Sequence, residues 1–454
     1  MFDKVLVANR GEIAVRIART CRELGIRTVG VYSTADQEPR IGRHFDELVH
    51  IGPTASRRSY QNVAAVVEAA VQTGADAVHP GYGFLSEDPD FAEVCAEFGL
   101  TFVGPAPALM GELGDKAAAR QVMQRQGLPL LPGLVEPIAS VHQLREVAAD
   151  IGFPLIIKAV AGGGGKGMAV VRSADELEET FRQARATARS VFGDERVYVE
   201  RYLDDARHVE VQVLCDNHGS GVHLGTRDCS VQRRHQKLIE EGPAPNLPPG
   251  LGSAMGEAAV AAALGVGYTG VGTFEFLLDR SGNFYFMEIN TRIQVEHTVS
   301  EAITGIDLVR QQLLVAAGHR LSLTQQEIPL TGVAIECRVN GEDPERGFVP
   351  TAGPLTRFDV PGGPFTRVDT HAFTGYVLGP DYDSLIAKLI VWAPDRDQAV
   401  CRMDRALREF DIDGPGVSTT IPFLRRVLAE PDFQKASHST ALVDRMQNNW
   451  RNSS

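Results

Sequence analysis

The stretch that decides the fold runs from residue 154 to residue 171 and reads PLIIKAVAGGGGKGMAVV. Its first part is a strongly apolar strand that Lys158 interrupts, and from Met168 the chain returns as a second strand. The glycine loop between them therefore joins two strands of a hairpin. Consecutive glycines let backbone N–H groups approach an anion such as a nucleotide phosphate, although a merely flexible turn would have the same composition. A Walker A loop is excluded, because Gly167 and not Ser or Thr follows Lys166.

Two lysines stand where the fold alone would not place them. Lys158 lies inside an apolar strand, where a buried lysine needs an anionic partner. Lys116 lies in the first turn of a helix that starts from Asp115, where the helix dipole disfavours a cation unless an anion is bound nearby. Either lysine could instead be a surface residue whose stem packs while its charge reaches water. Their position beside one glycine loop favours a triphosphate site.

A second motif places two carboxylates opposite each other. Residues 272–276 and 284–288 read as aromatic-rich strands, and the four-residue loop 280–283 would join them as a hairpin. In that register Glu275 and Glu288 face each other with Cβ atoms ~5 Å apart. Two such carboxylates repel unless a cation lies between them, and Mg²⁺ bound by carboxylates and phosphates meets that need. The alternative is a pair of solvated strand carboxylates.

The chain after this hairpin alternates between polar and apolar residues. In an extended chain the polar residues would share one face, and they are Glu288, Asn290, Arg292, Gln294 and Glu296. An amphipathic edge strand would also alternate, but this row could supply a metal ligand, an anion clamp and a base. A further cluster at 227–237 carries cationic or titratable side chains at 233, 234, 235 and 237. Without interleaved aromatics it favours a small-anion pocket over an exposed basic face or a nucleic-acid patch.

The pattern of predicted strands and helices divides the chain into three segments. Strands alternate with helices over about the first 110 residues, which indicates a parallel α/β layer. From 111 to about 330 the pattern is α+β and rich in hairpins. Short strands with Gly and Pro turns follow to about 392, and then a helix at 396–410 and a polar tail. The string GYGFLS at 81–86 misses a dinucleotide fingerprint, since Ser86 stands where the third glycine belongs.

Length and composition exclude several classes of protein. The 454 residues correspond to about three domains, and 43% apolar with 23% charged residues exclude a disordered, collagen-like or disulfide-scaffold protein. A net charge of −13 argues against nucleic acid or an anionic membrane as a partner. The six cysteines show no C-x-x-C spacing and read as reduced thiols. No secretory leader or run of ~20 apolar residues is visible, so we expect a cytoplasmic protein.

Several uncommon strings, in this order, resemble the biotin carboxylase family of the ATP-grasp superfamily. They are ANRGEIA at 8–14, HPGYGFLSE at 79–87, GGGGKGM at 162–168, the 227–237 cluster, residues 288–297 and ECR at 336–338. The resemblance extends from residue 3 to about 434. It implies an N-terminal Rossmann-like (pre-ATP-grasp) domain at 1–112, a central ATP-grasp domain at 113–328 with a mobile lid at about 130–203, and a C-terminal mixed β domain at 329–448. Arg201, Gly242 and Thr298 depart from the Lys, Ala and Pro that the family commonly has.

The resemblance implies carboxylation of biotin N1 with MgATP and bicarbonate, the first half-reaction of an acetyl-CoA or acyl-CoA carboxylase. Bicarbonate attacks the γ-phosphate to give carboxyphosphate, which breaks down to CO2 and phosphate. The phosphate then deprotonates biotin, and the biotin enolate captures CO2.

The resemblance also assigns roles to residues of this chain. The ATP site would comprise Lys116, Lys158, Gly163, Gly164, Gly165, Lys166, Gly167, Met168, Glu200, Arg201, Leu203, His208, Gln232, His235 and Leu277. Mg²⁺ or Mn²⁺ would be bound by Glu275, Glu288 and Asn290. Bicarbonate would be held by Lys237, Arg292, Gln294, Val295 and Glu296, and Glu296 would deprotonate it. Biotin would contact Tyr82 and Arg338, and the catalytic residues would be Glu296, Arg292, Arg338 and Lys237.

Partners and alternatives follow from the same motifs. No Met-Lys-Met biotinylation site occurs in the 454 residues, so we expect biotin to arrive on a separate biotin carboxyl carrier protein, with a carboxyltransferase subunit and a homodimeric enzyme. The cationic residues of the site should form a locally cationic cleft in an acidic chain. Two alternatives are another ATP-grasp ligase that forms carboxyphosphate, of the carbamoyl-phosphate type, and a nucleotide-binding regulator without catalysis. Glu296 and the two metal carboxylates argue against the regulator.

Overall fold

The N-terminal segment forms a parallel α/β layer. The computed structural model describes residues 1–38, 40–134, 136–161 and 167–451. The sheet has the order β3-β2-β1-β4-β5 with every neighbouring pair parallel, and its strands are β1 Lys4–Val7, β2 Arg27–Ser33, β3 Glu47–Gly52, β4 Ala77–His79 and β5 Thr101–Phe102. The helices of this layer are α1 Gly11–Glu23, α2 Val63–Thr73 and α3 Pro89–Glu97. The predicted α/β layer is confirmed.

Helix α1 illustrates why these residues form these elements. Ile13, Ile17 and Cys21 recur four residues apart, so they lie on one face of the helix and are buried against the sheet. The helix ends where Gly25 adopts a left-handed conformation, with a φ of 73°. The chain then enters β2 directly.

Four helices and a small sheet form the described part of the next segment, which includes the predicted lid. The helices α4 Pro107–Gly114 and α5 Lys116–Arg125 come first. The sheet has the order β6-β9-β7-β8, built from β6 Gly133–Leu134, β7 Leu155–Ala159, β8 Met168–Val171 and β9 Val197–Arg201, and it is accompanied by α6 Val141–Ile151 and α7 Leu177–Phe192. Strands β7 and β8 are antiparallel with Lys158 opposite Met168, so the predicted hairpin is present. Its glycine loop at 162–166 lies outside the described residues.

One continuous sheet joins the centre of the molecule to its C-terminal part. Its order is β14-β13-β10-β11-β12-β15-β22-β20, and the last three strands of this order are β15 Val333–Asn340, β22 Leu385–Ala393 and β20 Thr366–Thr370. The central strands are β10 Arg207–Cys215, β11 Gly221–Arg233, β12 Gln236–Gly242, β13 Gly270–Leu278 and β14 Phe284–Asn290, and the accompanying helices are α8 Leu251–Gly265, α9 His297–Thr304 and α10 Leu308–Ala316. Strand β12 pairs with β15, so side chains from the two segments meet along one surface.

The C-terminal segment contributes short strands and four helices among the described residues. The strands are β15 Val333–Asn340, β16 Glu342–Asp343, β17 Val349–Pro350, β18 Gly353–Pro354, β19 Arg357–Asp359, β20 Thr366–Thr370, β21 Val377–Leu378, β22 Leu385–Ala393 and β23 Asp411–Asp413. The helices are α11 Arg396–Glu409, α12 Ile421–Ala429, α13 Pro431–Gln434 and α14 Leu442–Arg451.

The polar tail predicted after residue 410 is wrong. Phe423, Phe433 and Val443 are buried in the C-terminal core, because apolar residues recur at helical spacing among the charges. The backbone N–H of Thr440 donates to the carbonyl of Ala206 just before β10, so the chain end lies back on the central sheet. No helix among the described residues is long and apolar enough to cross a bilayer. The six cysteines are free thiols, and Cys401 is the exposed one.

Candidate active site

The β13–β14 hairpin brings the two predicted carboxylates together. Glu275 and Glu288 are directly opposite in the antiparallel register, as predicted. The loop differs from the prediction, because the pairing shifts by one residue after Glu275 and five residues, not four, separate the strands. The Asp279 carboxylate accepts from the backbone N–H groups of Ser281 and Asn283. The turn therefore begins at Asp279, one residue before the predicted loop at 280–283. The bulge absorbs the extra residue and leaves the pair in register.

Glu275 is surrounded by donors. Its carboxylate lies 2.9 Å from Lys237 Nζ and 3.1 Å from His208 Nε2, and it also accepts from the side-chain amides of Asn290 at 2.9 Å and Gln294 at 2.8 Å. Burial alone would raise the pKa of Glu275, but the charges of Lys237 and His208 outweigh it and hold the pKa well below its usual range. Glu275 is therefore a fixed negative charge inside the site.

Lys237 is the centre of the charged cluster. Its Nζ lies 2.7 Å from Glu210, 2.9 Å from Glu275 and 2.6 Å from Glu296. Burial would lower the pKa of Lys237, yet these carboxylates raise it well above its ordinary value. Arg227, which is fully buried, shares Glu210 from the other side at 2.6 Å. The ammonium group is thus permanently charged.

Glu296 lies between two cations. One carboxylate oxygen accepts from Lys237, and the other accepts from Arg338 Nη2 at 2.8 Å. The side chain is 2% exposed. Although burial would raise it, the pKa of Glu296 is lowered by Lys237, Arg338 and Arg227. The carboxylate is ionised, desolvated and held by both oxygens.

The single extended run predicted from Glu288 to Glu296 is wrong. Strand β14 ends at Asn290, and α9 begins at His297 immediately after Glu296. The polar side chains still converge, because the turn between the two elements aims them back into the cleft. Asn290 Oδ1 accepts from Arg292 at 2.9 Å, and Arg292 Nε lies 3.0 Å from Glu87.

The two lysines singled out in the sequence both have the anionic partners they require. Lys158 Nζ donates to Glu200 at 2.7 Å, and Lys116 Nζ donates to Glu288 at 2.7 Å. Glu200 is 1% exposed and also pairs with Arg120 at 2.6 Å. Lys116 is the first residue of α5, and Asp115 caps that helix by accepting from Ala118 N–H. The cleft is therefore a set of matched charges rather than an open cationic surface.

The other residues expected around the adenine and the phosphates lie on the central sheet, or on and just after the small β6–β9 sheet. His208 is opposite Leu277 in the β10–β13 register, and Gln232 Nε2 contacts His208 Nδ1 at 3.5 Å. His235 occupies the tight β11–β12 turn with a φ of 66°, and burial with nearby Lys158 lowers its pKa. On the lid, Met168 is opposite Lys158, Arg201 donates to the carbonyl of Ile151, and Leu203 follows β9. Gly167 has a φ of 75°, whereas Gly163, Gly164, Gly165 and Lys166 lie outside the described residues.

The 227–237 cluster does not act as one unit. Arg227 and Lys237 enter the buried cluster, and His235 lies at its edge. Arg233 instead donates to the carbonyl of Gly347 and stacks over Phe348 with 4.4 Å from its Cζ to the ring centre. Arg227 and Arg233 are six residues apart on β11, where strict alternation would place them on one face. The pairing of β11 with β12 shifts register between Asp228 and Val231 and again between Val231 and Gln232, so the strand is not regular between them.

The donor set fits a divalent cation. Glu275 and Glu288 present opposed carboxylates, with the side chain of Asn290 beside Glu275. Each carboxylate already faces an ammonium group, that of Lys237 at 2.9 Å from Glu275 and that of Lys116 at 2.7 Å from Glu288. Hard oxygen ligands of this kind suit Mg²⁺ completed by nucleotide phosphates.

The predicted biotin-side residues reach the same cluster. Arg338 on β15 contacts Glu296, as above, and Glu240 at 2.6 Å. The Tyr82 hydroxyl donates to Glu12 Oε1, and Tyr82 follows β4. Asn9 Nδ2 donates to the carbonyls of Pro80 and Tyr82, which fixes that loop against the N-terminal layer.

Sequence reasoning missed several charged members of this cluster. Glu210 follows His208 by two residues on β10, and the same polar alternation that marked residues 288–296 would have revealed it. Lys388 interrupts the apolar strand LIAKLIVWA just as Lys158 interrupts LIIKA. Arg120 and Glu12 lie on helices and had no comparable signal.

Three family descriptions match consecutive parts of the chain. They are "Biotin carboxylase, N-terminal domain" at residues 1–110, "Carbamoyl-phosphate synthase L chain, ATP binding domain" at 115–324 and "Biotin carboxylase C-terminal domain" at 336–445. The chain is 51% identical to a biotin carboxylase of Nostoc over 98% of its length and 99% of the relative. It is 50% identical to biotin carboxylase 1 of Bacillus subtilis, with 98% of both chains covered.

Solved structures agree with these relatives. The biotin carboxylase of Campylobacter jejuni in complex with β-γ-ATP superposes with a TM-score of 0.94 at 44% identity, covering 98% of this chain and 99% of that one. The biotin carboxylase domain dimer of Hydrogenobacter thermophilus 2-oxoglutarate carboxylase, in complex with MgADP, ADP and bicarbonate, superposes with a TM-score of 0.93 at 45% identity, with 98% of both chains covered. The motifs, the arrangement of sheets and the matches over nearly the whole chain agree, and the chain belongs to the biotin carboxylase family.

Proposed function

We propose that this enzyme carboxylates N1 of biotin with MgATP and bicarbonate, through carboxyphosphate. The observation that carries the proposal is Glu296, a buried carboxylate that Lys237 and Arg338 hold from two sides at 2.6 and 2.8 Å. A base in this position, next to cations that can bind a small anion, is what the activation of bicarbonate requires.

The first step follows from the charges of the cluster. Bicarbonate held by Lys237 and Arg292, with Gln294 and the backbone of Val295, would share the positive charge that now faces Glu296. Burial raises the pKa of Glu296, and the charges of Lys237 and Arg338 lower it by more. With part of that charge taken up by bicarbonate, these cations would lower the pKa less, and the carboxylate would be a stronger base. Glu296 takes the bicarbonate proton while the freed oxygen attacks the γ-phosphorus of ATP, and the bond to the β,γ-bridging oxygen breaks to release ADP.

The nucleotide would replace the internal partners of the two lysines. Lys116 and Lys158 now hold Glu288 and Glu200, and their ammonium groups would turn to the ATP phosphates. Mg²⁺ bound by Glu275 and Glu288, with Asn290 beside them, supplies the neutralisation of phosphate charge that phosphoryl transfer needs. His208, Gln232, His235 and Leu277 on the central sheet, and Met168, Glu200, Arg201 and Leu203 on the lid, would enclose the nucleotide with the loop at 163–167.

The second step transfers CO2 to biotin. Carboxyphosphate breaks its C–O bond to give CO2 and phosphate, and the phosphate takes the N1 proton of biotin. Arg338 stabilises the enolate that results, while Tyr82 lies beside the ring system. The N1 electron pair then forms the new C–N bond with CO2.

Replacement of the base provides the test. Glu296→Gln should lower bicarbonate-dependent ADP release in the presence of free biotin by about a hundredfold or more, the usual contribution of a positioned base, while MgATP affinity stays within about threefold. Glu97→Gln, an exposed residue on α3, is the control. Unchanged turnover in Glu296→Gln would refute the role of this residue as base.

Two competing functions give different outcomes in the same assay. Residues 115–324 match the ATP-binding domain of the carbamoyl-phosphate synthase L chain. A ligase of the carbamoyl-phosphate type would be stimulated by ammonia and not by biotin. A regulator would bind nucleotide without ADP release. The matches of both flanking segments to biotin carboxylase domains favour biotin.

The organisation around the enzyme is part of the proposal. We propose domain boundaries at 1–112, 113–328 with the lid at about 130–203, and 329–448; the containment of the parallel sheet and of the β6–β9 sheet in the first and second ranges supports them. A biotin carboxyl carrier protein would present biotin, a carboxyltransferase subunit would use the product, and two copies would form a homodimer. Six free thiols favour the cytoplasm.

A further inference from the structure

A lysine outside the predicted site is buried beside it. Lys388 lies in β22 between the buried residues Ala387 and Leu389, and its side chain is 0% exposed. A lysine in such a position is stable only when its charge and its hydrogen bonds are matched. The partners of its ammonium group therefore indicate what it does.

Lys388 contacts both halves of the site. Its Nζ donates to the carbonyl oxygen of Val295 at 3.0 Å and lies 3.1 Å from Glu12 Oε1. The same Glu12 oxygen accepts from the Tyr82 hydroxyl. Lys388 and Glu12 thus connect the proposed biotin contact Tyr82 to the backbone at the proposed bicarbonate site.

The contact with Val295 acts directly on Glu296. The carbonyl of Val295 and the N–H of Glu296 belong to one planar peptide group, so holding the oxygen fixes that plane. The next residue, His297, begins α9. The hydrogen bond from Lys388 on one side of Glu296 and helix α9 on the other therefore restrain the orientation from which its side chain leaves the backbone.

Two neighbouring strands hold Glu296 in different ways. Lys388 is directly opposite Arg338 in the β15–β22 register, so both side chains project from the same face of the sheet. Arg338 holds the carboxylate of Glu296, while Lys388 holds its peptide group. On the other side of Lys388, Asp369 is opposite in the β20–β22 register.

We propose that Lys388, acting with Glu12, is a positioning residue that couples the placement of Tyr82 to the orientation of Glu296. Biotin and bicarbonate then meet in one fixed geometry, and carboxyphosphate is made where the acceptor can capture its CO2. The inference rests on the proposed function, and it concerns how ATP cleavage is coupled to carboxylation.

The chain offers a matched control. Lys4 is a buried lysine in strand β1 that also has one carboxylate partner, Glu47 at 2.6 Å, and one backbone carbonyl partner, that of Thr73 at 2.5 Å. Lys388→Met and Lys4→Met remove the same group from a strand lysine with the same two kinds of partner, and only the first lies at the site. Both should lower the melting temperature.

The expected results separate positioning from stability. Lys388→Met should lower carboxybiotin formation by roughly tenfold to a hundredfold, the cost of misplacing a reacting group by about 1 Å, and should raise the ATP hydrolysed per carboxybiotin formed. The KM for MgATP should stay within about twofold, and Lys388→Arg should restore part of the loss. Lys4→Met should leave the ratio of ATP to carboxybiotin at the wild-type value.

A double-mutant cycle tests the connection to Tyr82. If Lys388 and Tyr82 act through Glu12, the loss in Lys388→Met with Tyr82→Phe falls well short of the product of the two single losses. Multiplicative losses, or a wild-type ratio of ATP to carboxybiotin in Lys388→Met, would overturn the inference. If Lys388→Met does not fold, Glu12→Gln takes its place in both measurements. A wild-type enzyme without biotin-dependent turnover would instead overturn the proposed function.

Discussion

Arg338 joins two carboxylates whose protonation differs. Glu296 is kept ionised, whereas burial and the neighbouring charge of Glu296 raise the pKa of Glu240 to about 7 against the opposing influence of Arg338. Glu240 is 0% exposed and accepts from Arg338 Nε at 2.6 Å. One guanidinium therefore holds a permanent anion and a group that titrates near neutral pH.

This arrangement predicts a pH-dependent stability. Folding raises the pKa of Glu240 from 4.5 to about 7, so the folded state binds the proton more tightly and loses stability as the pH rises through that interval. The loss, at most about 3 kcal/mol, should be complete above pH 7. As the pH is raised from 5 to 8, the melting temperature of the wild type should therefore fall relative to that of Glu240→Gln. A difference that stays constant with pH would contradict the raised pKa of Glu240. As the control, Glu97→Gln should show no change with pH in its melting temperature relative to wild type.

Charged residues inside apolar strands were the most useful signal at this scale. Lys158 could be assigned an anionic partner from the sequence because its neighbours are apolar, and Glu200 is that partner. Lys388 has the same surroundings. Its partners could not be predicted, since Glu12 and Val295 come close only through tertiary packing of segments distant in sequence.

At the scale of elements, the pairing of residues across strands was easier to predict from the sequence than the residues at which strands and helices end. The opposition of Glu275 and Glu288 follows from strand periodicity, so it was predictable. The bulge after Glu275 depends on the turn that Asp279 closes, and the end of β14 at Asn290 depends on the docking of α9. Alternation cannot distinguish an extended run from a turn that aims the same side chains inward.

Helix α5 gives a prediction at this scale. Asp115 accepts from Ala118 N–H at 2.8 Å and caps the helix that begins with Lys116. Asp115→Ala should cost about 1 kcal/mol of stability, and fraying of the first turn should raise the KM for MgATP several-fold. Steady-state kinetics over a range of MgATP concentrations measures this.

The matched control is another helix cap. Asp395 caps α11 by accepting from Gln398 N–H at 2.9 Å, and α11 carries none of the proposed ATP residues. Asp395→Ala should lose similar stability with an unchanged KM. Equal KM values in the two variants would show that the α5 cap does not position Lys116.

At the scale of the whole molecule, the site depends on contacts between segments far apart in sequence. The eight-stranded sheet joins the central and C-terminal parts, and the N-terminal layer packs on the C-terminal part through Tyr382. The Arg10 guanidinium lies 4.4 Å from the Tyr382 ring centre, and the hydroxyl donates to the carbonyl of Thr54. The three segments could be predicted from the length and the pattern of elements. The continuity of the eight-stranded sheet, and the packing of the C-terminal residues on the central sheet, could not be predicted, because both depend on contacts between residues far apart in sequence.

The contact at Tyr382 should control cooperative unfolding. Tyr382→Ala removes the ring that meets Arg10 and Tyr60, so we expect a loss of about 3 kcal/mol and separate unfolding of the N-terminal layer in calorimetry. Phe98→Ala, where the ring is 58% exposed, should cost less than about 0.5 kcal/mol and keep the wild-type transition. A single, unshifted transition in Tyr382→Ala would contradict the role of this contact.

The pair of Glu12 and Lys388 also constrains how the enzyme can be synthesised. Glu12 leaves the ribosome well before Lys388, because β22 lies far along the chain from α1. N-terminal units fold first on a growing chain, so the α/β layer forms while Glu12 still lacks the ammonium group of Lys388. A chain that stops between the two residues would therefore leave the Glu12 carboxylate with the Tyr82 hydroxyl as a partner but without the ammonium group of Lys388.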